Sequence, residues 1–297
     1  MTGCQRPGKQ RQPHLLLQLR EGTDLILRTR SHLQFGTVPA HSLVLGLPEE
    51  VSVDQVHQVM RELRRPMSEK TVHRILGNCG IPAVHARGIV EELLVAGILH
   101  RRPARFHSTV HVLGPAIHAR AVLRHLRALD IPSSPISPTN PAFGRLSPSD
   151  LVVMAGMLFP PADISYRLMD LGVPHLTCGV VDARVSVGPL VLPGVTGCLA
   201  CLDAAALTED GRWRTVRDQC IDGRTPTADR LVEFTAGMVA GLVREVLAAR
   251  RQNSAQQTEW TVPGPLTGRS YFDPLTLQVG MTALSRHPGC AACAVAP

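Results

Sequence analysis

Aromatic residues are scarce: Phe, Trp and Tyr together make up 3% of the 297 positions. A core built without them rests on Leu, Val, Ile and Ala, and the hydrophobic content of 44% is enough to build one. No apolar run reaches the roughly 20 residues that a membrane helix needs, so no membrane contact is expected. Met1 to Arg20 has no secretory h-region, since His14-Leu15-Leu16-Leu17 is too short. Cysteines without an export signal point to free thiols and a cytoplasmic location.

Acids are missing from two basic stretches. Residues 1–30 set Arg6, Lys9, Arg11, Arg20, Arg28 and Arg30 against Glu21 and Asp24 alone. Arg101, Arg102, Arg105, Arg120, Arg124 and Arg127 follow one another with no acid between them, and the formal net charge is +7. Such runs suit nucleic acid, anionic peptides or a solvated face, and charge alone does not choose among them.

Eight cysteines are present, and four of them fall into two hooks. Cys198-Leu199-Ala200-Cys201 is the first and Cys290-Ala291-Ala292-Cys293 the second. A two-residue spacer lets each hook wrap one side of an ion, and four thiolates complete a tetrahedral zinc shell. That shell has no open position for water, so the expected role is structural. Four buried, unliganded cysteines are the competing explanation, but it leaves the repeated spacing unexplained. Residues 202–289 lie between the hooks, so the metal would tie the chain end to the middle of a domain.

In chain order, residues 1–19 read as a disordered basic tail, 20–103 as a small module and 104–297 as an α/β domain. Leu25–Leu27, Leu33–Phe35 and Ser42–Leu45 are short strand candidates. Three helices follow. Val53, Val56, Met60 and Leu63 line the first, capped by Ser52; Val72, Ile75 and Leu76 line the second, capped by Ser68. Pro82 opens the third, with Val84, Val90, Leu93 and Leu94 expected inward. Three strands and three helices suggest a winged-helix-like module. Such a module can bind DNA, bind a peptide by strand addition, or serve as structure alone. The third helix offers His85 and Arg87 but then Glu91 and Glu92, which phosphates repel, so nucleic acid is not favoured. The peptide reading places an extended chain beside Ser42, Leu43, Val44 and Leu45, against the helix Ala83–Val95, with Arg87 pairing an acidic peptide residue.

The second domain opens with a strand at Thr109–Leu113, the turn Gly114-Pro115-Ala116-Ile117-His118-Ala119, and a helix. Strand, glycine turn and helix begin a nucleotide-binding unit. Only the first glycine of GxGxxG survives; Ala116 crowds the backbone, and Pro115 removes an N–H donor. A Pro- and Ser-rich loop is expected at 131–149, a buried strand at Asp150–Gly156, a helix at Asp163–Leu171, and strands at Val173–Val181 and Val185–Pro193. An irregular polar segment is expected at 202–227. A helix follows over 228–250, with Leu231, Thr235, Met238, Leu242 and Val246 on its inner face, then strands at Trp260–Val262 and Ser270–Leu277.

From residue 108 onward this order of parts resembles the ThiF/MoeB-type family, adenylating proteins related to ubiquitin-activating enzymes. The likeness is carried by the apolar strand 150–156, by Gly188-Pro189-Leu190-Val191-Leu192-Pro193-Gly194 before the first hook, by the small-residue helix with Ala236, Gly237, Ala240 and Gly241, and by His287-Pro288-Gly289 before the second. With the N-terminal module, the chain is similar to actinobacterial-style bacteriocin-biosynthesis cyclodehydratase or leader-peptide-binding proteins of azoline-forming (RiPP) pathways. The resemblance implies a degenerate Rossmann-like sheet, a structural zinc on Cys198, Cys201, Cys290 and Cys293, and peptide recognition by the first module. It implies a peptide substrate or a partner enzyme, of YcaO type for example, with a homodimer as a further option. Family members grip ATP through a full glycine loop and acids at strand ends. Those features are missing here, so ATP binding is not expected and a pseudo-adenylating scaffold is the favoured reading. An active ATP-dependent cyclodehydratase and a winged-helix nucleic-acid-binding protein stay open as alternatives. Cys220 lies where some relatives carry a sulfur-transferring cysteine; an incidental cysteine fits it better.

Overall fold

The computed structural model describes residues 15–103, 108–220, 228–252, 258–288 and 290–294. They fall into two units, Met1–Arg105 and Phe106–Pro297.

The first unit begins earlier than expected. Strand β1 (Leu15–Leu19) buries Leu17 and Leu19, which corrects the tail drawn to residue 19; residues 1–14 lie outside the described residues. Alternating apolar positions make this a strand with one inward face. Strands β2 (Leu25–Thr29), β3 (His32–Phe35) and β4 (Leu43–Gly46) form an antiparallel sheet in the order β2-β3-β4. Helix α1 (Val53–Glu62) starts where Ser52 accepts the Gln55 N–H. Strand β5 (Met67–Ser68) leads into α2 (Glu69–Asn78), capped by Ser68 on the Thr71 N–H. Helix α3 (Ala83–Val95) follows, then β6 (Leu99–Pro103), and a second sheet runs β5-β1-β6. The inner face of α3 is Ala86, Val90 and Leu93; Val84, expected inward, is 68% exposed because the buried stripe passes through Ala86 instead.

The second unit is a seven-stranded mixed sheet. It contains β7 (Val110–Leu113), β8 (Ser133–Pro135), β9 (Leu151–Ala155), β10 (His175–Val181) and β11 (Arg184–Val191). Helix α4 (Ala116–Ala128) follows β7, and α5 (Ala162–Asp170) follows β9. After the first hook come α6 (Leu199–Glu209), α7 (Trp213–Cys220) and α8 (Asp229–Ala249). A short pair, β12 (Arg251–Gln252) with β13 (Thr258–Glu259), precedes the hairpin of β14 (Gly268–Phe272) and β15 (Val279–Ala283), and α9 (Ala291–Ala294) holds the last cysteine. The sheet order is β15-β14-β11-β10-β9-β7-β8, with β8, β7, β9 and β10 parallel and the rest antiparallel.

All five residues of β9 are fully buried, as its unbroken apolar run requires for a strand covered on both faces. Leu151, Val153 and Ala155 face the core shared with α4 and α8; Val152 and Met154 face the one shared with α5 and the first hook. Burying each such side chain contributes about 1.5–3 kcal/mol before entropy is counted.

Several expected elements differ. The loop at 131–149 contains β8, a three-residue strand that parallel pairing with β7 holds in place despite Pro135. The segment expected to be irregular after the first hook is helical in α6 and α7; its residues 221–227 are not described. The buried stripe of α8 is Val232, Thr235, Ala236, Val239, Ala240, Val243, Val246 and Leu247. Leu231, Met238 and Leu242 only flank it, because the small residues let the helix approach the sheet closely. Trp260–Val262 is not a strand, and the strand expected at Ser270–Leu277 ends at Phe272, where Asp273 turns the hairpin by accepting the Leu275 and Thr276 N–H groups.

Candidate functional site

The two hooks meet. The sulfurs of Cys198, Cys201, Cys290 and Cys293 all lie within 4.8 Å of one another. Cys198 stands at the N-cap of α6 and Cys201 in its first turn; Cys290 immediately precedes α9. Both hooks make the same turn, with the Cys201 N–H donating to the Cys198 carbonyl and the Cys293 N–H to the Cys290 carbonyl. Sγ separations are 3.8 Å for Cys198–Cys201 and 3.5 Å for Cys198–Cys290 and Cys201–Cys293. A tetrahedron with Zn–S bonds of about 2.3 Å has edges of roughly 3.8 Å, so the donor set fits a four-thiolate ion. Cys198 and Cys201 are buried, and Cys290 and Cys293 partly so. Burial pushes the Cys198 and Cys293 thiols up. Burial also opposes ionisation of Cys201, but the His287 N–H at 3.3 Å and the neighbouring cysteines outweigh it and lower its pKa. Cys220 is exposed at the end of α7, outside this group.

A second candidate is the crevice beyond the carboxyl ends of β7 and β9. Strand order reverses here, with β8 on one side of β7 and β9 on the other, and open α/β sheets bind ligands at such a point. Gly114 closes β7 with φ 142°, and a Cβ there would overlap the Ala155 carbonyl oxygen. Gly156 closes β9 with φ 72°, and the His118 ring lies against it. His118 is half-buried, and that burial lowers its pKa. Pro115 occupies the N-cap of α4, without a side-chain cap or an N–H to offer. Pro135 ends β8 and is followed by Ile136 and Ser137, and Met157 and Leu158 follow Gly156; none is a carboxylate. The Arg167 guanidinium is occupied by the Pro138 carbonyl and the Phe143 ring.

Sequence reasoning missed a polar cluster beside this crevice. Asp203 on α6 accepts from Arg217 Nε at 2.6 Å and from Trp213 Nε1 at 3.1 Å, both on α7. Arg217 also donates to the Pro160 carbonyl, and Arg269 on β14 to the Leu158 carbonyl. Burial brings the Arg269 guanidinium down to about 10. The cluster ties the turn after β9 to the segment between the hooks. Asp203 at i, i+10 and i, i+14 from its partners leaves no short motif to find.

The expected peptide residues are only partly gathered. Leu43, Val44 and Leu45 lie in β4, the outer strand of its sheet, with Val44 exposed and Leu45 buried. Ser42 precedes it and donates to the Pro39 carbonyl. Arg87 is exposed on α3, which packs on α2 and β6, and among the described residues no hydrogen bond or ion pair joins it to residues 42–45.

No family model and no curated protein matches the chain. Solved structures share its fold. A heterocyclase in complex with substrate and cofactor superposes over 94% of this chain with a TM-score of 0.59 and 16% identity. The heterocyclase TruD does so over 94% with a TM-score of 0.57 and 17% identity. This chain spans 39% and 43% of those two longer chains. The E. coli microcin C7 biosynthetic enzyme MccB, in complex with N-formylated MccA, matches over 94% of this chain and 99% of its own, with a TM-score of 0.52 and 13% identity. At these identities the likeness is one of fold: a mixed α/β sheet preceded by a smaller unit.

Proposed function

We propose that this chain is a ThiF-like, zinc-stabilised scaffold that binds a peptide and presents it to a partner modifying enzyme without adenylating it. The observation that carries the reading is the switch-point crevice: His118 rests on Gly156, Pro115 stands at the helix start, and the strand ends carry no carboxylate. A phosphate at that turn would find few backbone donors and no acid to share a magnesium ion. Cys198, Cys201, Cys290 and Cys293 would hold the zinc, which supplies a crosslink and no open coordination position.

The peptide half of the proposal is supported by fold. MccB was solved with N-formylated MccA and a heterocyclase with its substrate, and this chain covers both of its units in each match. The two heterocyclases are more than twice its length, which supports a separate partner, of YcaO type for example, supplying the remainder. Residues 20–103, with β1 added, act as the winged-helix-like recognition module. The open edge of β4 receives the peptide backbone, and alternate peptide side chains face the unit. The cytoplasm, where thiols stay reduced, suits the four cysteines.

Fluorescence anisotropy on the full, zinc-loaded chain tests this. Candidate leader peptides and a mixed-sequence DNA duplex are titrated at two salt concentrations. Peptide binding that Val44→Pro removes is the expected result, since proline takes a donor from the β4 edge. Tight, salt-sensitive duplex binding without a peptide response would replace the reading with a nucleic-acid one.

A further inference from the structure

We propose that the first unit carries a second peptide-contact surface: the groove between the end of α1 and β5 takes an extended peptide with acidic side chains at alternate positions. The inference rests on the reading of this unit as a peptide binder but uses a different sheet edge from β4.

The groove is open and shallow, with a volume of about 810 Å³, and is lined by Gln58, Arg61, Glu62, Arg64, Arg65, Pro66 and Met67. Three guanidinium groups face one carboxylate. Among the described residues no ion pair neutralises Arg61, Arg64 or Arg65. Arg101 of the same unit differs, paired with Glu69 at 3.3 Å and Glu91 at 3.0 Å. The groove therefore brings three arginines without an ion pair together at one place.

The turn that presents these arginines is fixed. Arg64 donates to the Thr23 carbonyl at 3.4 Å and its own carbonyl accepts from Gln18 Nε2 at 2.9 Å. The Arg64 N–H donates to the Arg61 carbonyl at 3.2 Å and the Arg65 N–H to the Glu62 carbonyl at 3.0 Å, so α1 ends in tight turns. Arg61 lies in the last turn of α1 and Arg65 in the bend that follows it, both at the groove. Alternate side chains of an extended peptide repeat at roughly 6.6 Å. Those alternate side chains share one face of the peptide, so the preferred spacing is acid, any residue, acid.

Strand order adds the backbone component. β5, only Met67–Ser68, is the outer strand of β5-β1-β6 and among the described residues pairs with β1 alone, so an added strand would gain a short run of backbone bonds beside half-buried Met67. A nucleic acid suits the groove less well, because its lining holds no aromatic on which a base could stack.

The test uses the full chain and three short fluorescein-labelled peptides: one with Glu at every second position, one with Gln replacing Glu, and one with the same Glu residues grouped at one end. The alternating Glu peptide binds best, exceeds the Gln peptide by about fivefold or more, and weakens as salt rises. Arg61→Glu with Arg65→Glu removes that preference at an unchanged melting temperature, and Val44→Pro leaves it intact. Equal binding of Glu and Gln peptides, no effect of the arginine substitutions, or duplex DNA competing as well as the Glu peptide would each overturn the proposal. Binding that Val44→Pro removes and the arginine pair does not would overturn it while sustaining the β4 reading. No binding of any peptide, candidate leaders included, would overturn both.

Discussion

Gly114 has no room for a methyl group, because a Cβ would overlap the Ala155 carbonyl oxygen and its φ of 142° suits glycine alone. Gly114→Ala is expected to cost on the order of 3 kcal/mol, read as a lower urea midpoint at unchanged slope. The same crowding explains why the turn between β7 and α4 begins with glycine: the close approach of β7 and β9 requires it. His175 carries a pH dependence. It is fully buried, and its Nδ1–H donates to the Val173 carbonyl at 2.9 Å. Burial lowers its pKa from 6.5 to about 4, with the Val173 bond opposing the shift. The unfolded chain therefore binds the proton first, and stability present above pH 6.5 is lost as pH falls toward about 4. The full shift corresponds to about 3 kcal/mol. Melts between pH 7 and 4 should show this slope, and His175→Gln should flatten it; an unchanged slope in the variant would assign the acid sensitivity elsewhere.

At the scale of elements, local signals were readable where a cap or an unbroken run decides. Ser52 and Ser68 cap their helices as their positions imply, and β9 is buried throughout. The spacing of the two hooks correctly singled out cysteines that meet across 88 intervening residues, numbered 202–289. What was not legible depends on distant partners. The Ala-rich run of α6 lacks an apolar stripe, and α7 buries no residue, so neither announces itself; Asp203 joins them through Trp213 and Arg217. β8 needs β7 beside it, and β1 needs both β5 and β6. The hooks also yield a prediction. Protein purified without added zinc should carry one zinc per chain, and a chelator should lower its melting temperature by more than about 10 °C. Cys198→Ser should behave like the chelated protein, since it opens the shell at one of its two buried corners. An empty protein that melts no lower than a loaded one would remove the structural role.

For the molecule as a whole, the two units and their order are shared with enzymes of twice the length and with one of equal length, at identities that carry fold and not chemistry. The chemistry must be read from the crevice, where the His118 ring lies against Gly156, Pro115 stands at the N-cap of α4 and no carboxylate follows β8 or β9. The function proposed above requires that the crevice hold no nucleotide. Calorimetry with ATP and magnesium on the full, zinc-loaded chain addresses that claim most directly, because binding needs no knowledge of the peptide. The account predicts no binding tighter than about 1 mM; a micromolar dissociation constant would contradict it.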